Sequence, residues 1–367
     1  MLLVKYFKII VTALLLTLVG GMEWFKVEQQ AFNRENDGLT KMEKIKGVCW
    51  EGTRLSIEPK HMQSLENHHA NWMSQTPFGW QNGHDNPEII IQRRNRGMLG
   101  EREKGMANTA KIAREKGIKT LLKPHIWLSN ANGKWRSDIK MNSPEEWAQW
   151  FEQYRAFILY YARLAEKYDF EGLCIGTELY ITTTQHEQEW RNIISEIRKV
   201  YSGQLTYAAN FHKEYEAIKF WDALDYIGVQ AYFPLTNKEN PTLKELRKGW
   251  IPHHRRLKQV HDKWQKPIVF TEIGYRSAKD AAIRPWEWEK RGPVAESEIS
   301  TPTQGVCYEA MFKTFWKEEW LGGVFFWKWT PENYGVAIQT RRRRKPSPLS
   351  FTPKTEALEV IEKWFAK

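Results

Sequence analysis

From about Gly47 onward the chain alternates short apolar runs with longer stretches whose apolar residues recur at helical spacing. This is the pattern of repeated strand and helix units around a parallel sheet. Eight runs have strand character: residues 45–50, 69–75, 118–127, 170–179, 204–210, 224–233, 267–275 and 322–329. Helical periodicity covers 101–116, 144–168 with Ser143 as its N-cap, 187–201, 243–264 and 304–319, and a last helix at 355–365 closes the chain. The helix after the first strand is expected to be short or irregular, and the fifth, around Tyr215 to Trp221, to be a turn or two. Eight strands with interleaved helices close into a (β/α)8 TIM barrel, expected to fill residues 44–367 as one domain.

Two connections are long for such a fold: residues 77–100 after the second strand and 277–303 after the seventh, both rich in Gly, Pro and aromatics. Both follow strand C-termini, the end of the barrel that carries active sites. Segments leading into strands, such as 116–119 and 265–267, are tight by comparison.

Composition changes this picture in two places. The chain has 367 residues, a net charge of +11 and 19 tryptophans. Lys5 and Lys8 hold two of those charges, and Arg341, Arg342, Arg343, Arg344 and Lys345 hold five, which leaves +4 on everything else. The body is therefore close to neutral. Without a continuous basic face or a nucleic-acid motif, no nucleic-acid partner is expected, and the arginine run reads as a solvated loop. Lys5 and Lys8 precede an apolar run, residues 9–21, of signal-peptide length. Residues 1–22 are expected to be a signal peptide or an uncleaved N-terminal membrane anchor, with 23–43 as a linker, so the protein is expected to be exported. Three cysteines, Cys49, Cys174 and Cys307, exclude a disulfide-built fold and fit buried packing.

Candidate chemistry lies on two strands. Glu178 ends the fourth in CIGTEL, and Glu272 lies near the end of the seventh in IVFTEIGY. With period two, Gly172, Cys174, Gly176 and Glu178 are expected to share one face, as are Ile268, Phe270 and Glu272. Faces that point inward bring both carboxylates to the barrel mouth. Either glutamate alone reads equally well as a helix cap or an ion-pair partner. Two on apolar strands read differently, because burying an unpaired carboxylate costs roughly several kcal/mol. A carboxylate pair across a scissile bond is what glycoside hydrolysis needs.

CIGTEL, LTYAAN, LDYIGVQAYFPL, KPIVFTEIGY and FFWKW, with NWMSQTPFGW and LLKPHIW before them, resemble glycoside hydrolase family 113 of clan A. Its characterised members are β-mannanases, and the resemblance runs from about Lys46 to the C-terminus. It implies a retaining hydrolase with Glu178 as acid/base, Glu272 as nucleophile and their carboxyl groups about 5 to 5.5 Å apart. It also implies that Tyr232, at the end of strand six, holds the nucleophile. Many clan members carry Asn immediately before the acid/base where this chain has Thr177, which leaves a β-glucan beside β-1,4-mannan as substrate.

By position, Asn210 at the end of strand five and His125 at the end of strand three are candidates for sugar hydroxyls. Trp327 and Trp329, two apart on strand eight, are expected to share a face as a sugar platform, although core packing competes for Trp327. Trp50, Trp80, Trp127, Trp135, Trp286 and Trp288 also fall at strand ends or in loops of that end; of these, Trp127 and Trp286 are taken as substrate contacts. No GxGxxG, P-loop, GxSxG or HExxH pattern occurs, and His68 and His69 on one strand point apart, so neither cofactor nor metal is expected. The partner is then a polysaccharide or oligosaccharide, and the protein is expected to be a monomer. A catalytically silent sugar-binding barrel is the rival, against which both glutamates argue.

Overall fold

Apolar runs with little alternation fold as parallel strands because helices cover one face and a packed barrel interior the other. The computed structural model describes residues 43–54, 56–91, 98–288, 293–330 and 347–367. The leader expected over residues 1–22, the linker up to residue 42 and the arginine run lie outside the described residues. Lys44–Lys367 forms one unit. Its strands are β1 (Ile45–Trp50), β2 (Trp72–Gln75), β3 (Phe78–Gln81), β4 (Ile89–Ile90), β5 (Lys119–Leu122), β6 (His125–Leu128), β7 (Gly172–Thr177), β8 (Gln204–Asn210), β9 (Ile227–Gln230), β10 (Ile268–Ile273) and β11 (Leu321–Trp329).

Eight of them, in the ring order β1, β2, β5, β7, β8, β9, β10 and β11, close a parallel barrel. The expected (β/α)8 fold is thus present. Helices α1 (Gln63–Asn67), α2 (Glu103–Glu115), α3 (Pro144–Lys167), α4 (Tyr180–Gln185), α5 (Glu187–Arg198), α6 (Glu214–Ala217), α7 (Leu243–Trp264), α8 (Thr301–Phe315) and α9 (Thr355–Phe365) fill the connections. Ser143 caps α3 by accepting from the Glu146 N–H at 3.2 Å, and a capping box of Thr242 and Glu245 opens α7. The first helix is one short α turn after a 3-10 segment, and the fifth is the four-residue α6. Among the described residues, no helix is long and apolar enough to cross a membrane.

The run expected as strand three divides. Lys123 N–H donates to Gln75 O at 2.8 Å and ends the barrel ladder; Pro124 has no N–H to continue it; His125 N–H then donates to Pro77 O at 2.9 Å. β6 therefore joins β3 and β4, both from the long loop after β2, in a separate three-stranded sheet. His125 opens that small sheet instead of ending a barrel strand.

A layer of side chains that includes Cys49, Leu121, Cys174, Ala208, Val269 and Phe325 packs in the barrel interior. All three cysteines are buried thiols. This layer corrects the expected strand faces. Val269 points inward, whereas Phe270 points out, where it packs on Trp250 and Phe315. On β7, Cys174 points in, but a Cβ on Gly176 would lie 2.7 Å from the Tyr154 hydroxyl oxygen and from Tyr207, among side chains packed behind the strand. Each strand then carries one extra residue against its neighbour, between Cys174 and Thr177 on β7 and between Phe270 and Glu272 on β10. These bulges re-aim the strand ends: Glu272 reaches the mouth although strict alternation from Val269 would send it outward, and Glu178 reaches it although Gly176, two residues before it, faces out.

Candidate active site

The strand C-termini open into a cavity of about 640 Å³ whose wall includes both glutamates. Glu178 is the first residue beyond β7, with φ at +52°, a left-handed backbone that non-glycine residues rarely adopt outside turns and functional sites. Its N–H still reaches Ala208 O at 2.9 Å, so the turn stays tied to β8. The carboxyl group accepts from Trp135 Nε1 at 2.8 Å on Oε2 and from Asn210 Nδ2 at 2.9 Å on Oε1. Arg136 Nε stands 4.0 Å from Oε2 and its guanidinium lies over the Trp135 ring at 4.5 Å. Burial raises the Glu178 pKa; Arg136 and the Trp135 hydrogen bond oppose that rise, and the charge of Glu272 adds to it.

Glu272 is set differently. Lys123 Nζ donates to Oε1 at 2.5 Å and to Thr271 O at 3.0 Å, and the Tyr232 hydroxyl donates to Oε2 at 2.8 Å. Lys123 and Glu272 are both buried. Burial works against the lysine charge, yet its negative surroundings, Glu272 among them, hold its pKa above the ordinary value. Burial and Glu272 also push the Tyr232 hydroxyl well up, so it remains a donor. His125 Nε2 is 3.8 Å from Glu272 Oε1, beyond hydrogen-bond distance, and burial with the nearby Arg136 and Lys123 keeps the imidazole neutral. One carboxyl group thus sits where the neutral acid is favoured, and the other carries a direct cation.

The remaining candidates divide. Trp127, Asn210, Tyr232, Trp286 and Trp327 line the cavity with His125. Trp286 is 43% exposed and stacks on Phe211 at 5.4 Å, and Trp288, 52% exposed, meets Trp327 edge-on at 6.4 Å, so large apolar rings face solvent at this mouth. Trp329 is a correction: it does not share a face with Trp327. An extra residue in β11 against β1, between the partners of Val48 and Trp50, breaks the alternation. Trp329 is instead buried against His68, and Trp50 is buried in the core as well. The Trp327–Lys328 peptide is cis. Among the described residues, no group of three His, Cys, Asp or Glu side chains could hold a metal ion.

Lys123, Trp135 and Arg136 join the site beyond the residues that sequence position alone marks as candidates. For Lys123 a signal existed, since a lysine closing the apolar KTLLK run is as anomalous as Glu272 in IVFTEIGY. Trp135 and Arg136 lie in a loop, and no periodicity points a loop residue at a carboxylate.

A closed parallel barrel with two glutamates and an aromatic wall at its C-terminal mouth is the architecture of a glycoside hydrolase. The model of glycoside hydrolase family 113 matches residues 52–344, and the chain belongs to that family. Solved structures described as GH113 β-1,4-mannanase are 26% identical, superpose with a TM-score of 0.71, and are matched over 89% of this chain and 99% of theirs. The GH113 β-mannanase AaManA from Alicyclobacillus acidocaldarius, solved in complex with ManMIm, is equally similar, at 26% identity and a TM-score of 0.71 over 89% of this chain and 98% of its own. A β-glucuronidase from Ruminococcus gnavus, at 14% identity and a TM-score of 0.57 over 88% of this chain and 50% of its own, shares the fold alone. No curated protein sequence matches the chain.

Proposed function

We propose that this glycoside hydrolase cleaves β-1,4-mannosidic linkages with retention, Glu178 acting as acid/base and Glu272 as nucleophile. The observation that carries the assignment is the contrast between the two carboxyl groups. Burial favours a protonated Glu178, whereas Lys123 and Tyr232 hold Glu272 in place. In the first step Glu178 gives its proton to the glycosidic oxygen as Glu272 attacks the anomeric carbon, releasing the leaving sugar and forming a glycosyl ester. In the second, Glu178 takes a proton from water, which attacks the same carbon and frees the Glu272 carboxylate. Trp135 and Asn210 hold Glu178 by one oxygen each, which fixes its direction through both steps.

His125, Asn210, Trp127, Trp286 and Trp327 are proposed to contact the sugar, the neutral imidazole through a hydroxyl and the indoles through apolar ring faces. The mannanase relatives, matched over nearly their whole length, support mannan as the substrate. A β-glucan remains the second reading on one observation. Thr177 is buried and absent from the cavity wall, so it gives the site no contact by which to prefer one C2 configuration. A time course on defined manno- and cello-oligosaccharides, followed by proton NMR, tests both points. β-anomeric product appearing first from the manno-series is expected. Initial α-anomer overturns retention, and cleavage confined to the cello-series overturns the substrate.

A further inference from the structure

Behind the cavity wall, a second carboxylate is built into the support of Glu178. Glu214 is fully buried and does not line the cavity. Its Oε1 accepts from the Tyr207 hydroxyl at 2.7 Å and the Thr183 hydroxyl at 2.8 Å, and its Oε2 accepts from the Asn210 N–H at 2.7 Å. Each donor leads to Glu178. Asn210 passes its side-chain N–H to Glu178 Oε1. The Tyr207 oxygen accepts from the N–H of Leu179, the next residue, at 2.5 Å. Thr183 lies on α4, the helix that starts two residues after Glu178.

We infer that Glu214 is a positioning residue for the acid/base: it locks the Asn210 backbone and the peptide after Glu178 into one network, so that Glu178 meets the glycosidic oxygen in a single orientation. The inference rests on the proposed role of Glu178. Three features favour it over ordinary core polarity. Glu178 leaves its strand with a left-handed backbone, a geometry that needs outside support. Asn210 is fixed from both ends, since its Oδ1 also accepts from the His212 N–H at 2.8 Å, and its amide therefore has one way to face Glu178. Burial pushes the Glu214 carboxyl up to about 7 against the pull of its three donors, a burden that a residue serving packing alone would not carry. A glutamine here offers one acceptor oxygen and an NH2 group that only donates, so one of the three N–H and O–H groups loses its partner.

The test compares leaving groups. Glu214→Gln is assayed on mannopentaose, whose departure needs the acid, and on dinitrophenyl β-mannobioside, whose departure does not. The variant is expected to lose about 10- to 100-fold in kcat/KM on mannopentaose while its kcat/KM on the aryl substrate stays within about twofold. Its kcat on the aryl substrate is expected to fall and to be restored by azide, which attacks the glycosyl ester without a base, forms the glycosyl azide and frees the Glu272 carboxylate. Equal losses on both substrates with no azide effect mean a merely structural role and overturn the inference; so does wild-type behaviour on both. Tyr207→Phe, which removes only the hydroxyl arm, is measured in parallel and reads the same coupling if Glu214→Gln folds poorly. Glu178→Ala is the control. If it lacks the leaving-group split, the acid/base assignment itself fails and takes the inference with it. If it shows the split and neither other variant does, the inference about Glu214 alone falls.

Discussion

Lys123 Nζ and Glu272 Oε1 meet at 2.5 Å inside the barrel mouth, with the lysine wholly buried. Breaking such a pair from one side leaves an uncompensated buried charge. Lys123→Met is therefore expected to cost about 3–5 kcal/mol of stability and most of kcat. The double variant Lys123→Met, Glu272→Leu should regain much of that stability and none of the activity. Urea denaturation of the single and double variants measures the coupling, and additive losses would show that the pair does not act as a unit.

Glu272→Gln removes the group proposed to form the glycosyl ester while keeping its shape. Turnover of an aryl β-mannoside should fall by about four orders of magnitude or more, with circular dichroism unchanged. Activity near the wild-type level in a folded variant would sink the nucleophile assignment.

The pH profile follows from the acid form of Glu178. Glycosylation needs that carboxyl group protonated, so kcat/KM should decline as pH rises through its elevated pKa. Arg136 opposes the elevation, and without its cation the neutral acid persists to higher pH. Arg136→Met should therefore move the descending limb to higher pH. A limb that stays in place or moves down would mean that a different group sets it.

The two tryptophans of β11 should separate. Trp327→Ala is expected to raise KM by about tenfold on mannan oligosaccharides with little change in melting temperature, because the ring lines the cavity. Trp329→Ala is expected to leave KM alone and to cost about 3–5 kcal/mol, because the ring is buried in the core. Paired thermal melts and initial-rate series distinguish them.

What the sequence determined by itself is the barrel, its long-loop end and the two glutamates. Strand and helix periods are local properties, written into runs such as IKGVCW and LKELRKGWIPHHRRLKQVHDKW, and 45–50, 204–210, 243–264 and 355–365 agree with the observed elements at both ends. The tertiary structure decided how those glutamates face inward. Extra residues on β7, β10 and β11 reverse the alternation near the strand ends, and a bulge is defined by register against a neighbouring strand, which one strand's own residues do not record. The same reason separates Trp327 from Trp329, and Pro124 moves His125 into a second sheet that exists only because β3 lies beside it. Partners from distant segments, Lys123 for Glu272 and Trp135, Arg136 and Asn210 for Glu178, arise from barrel closure, which brings the ends of separate strands and their loops around one cavity.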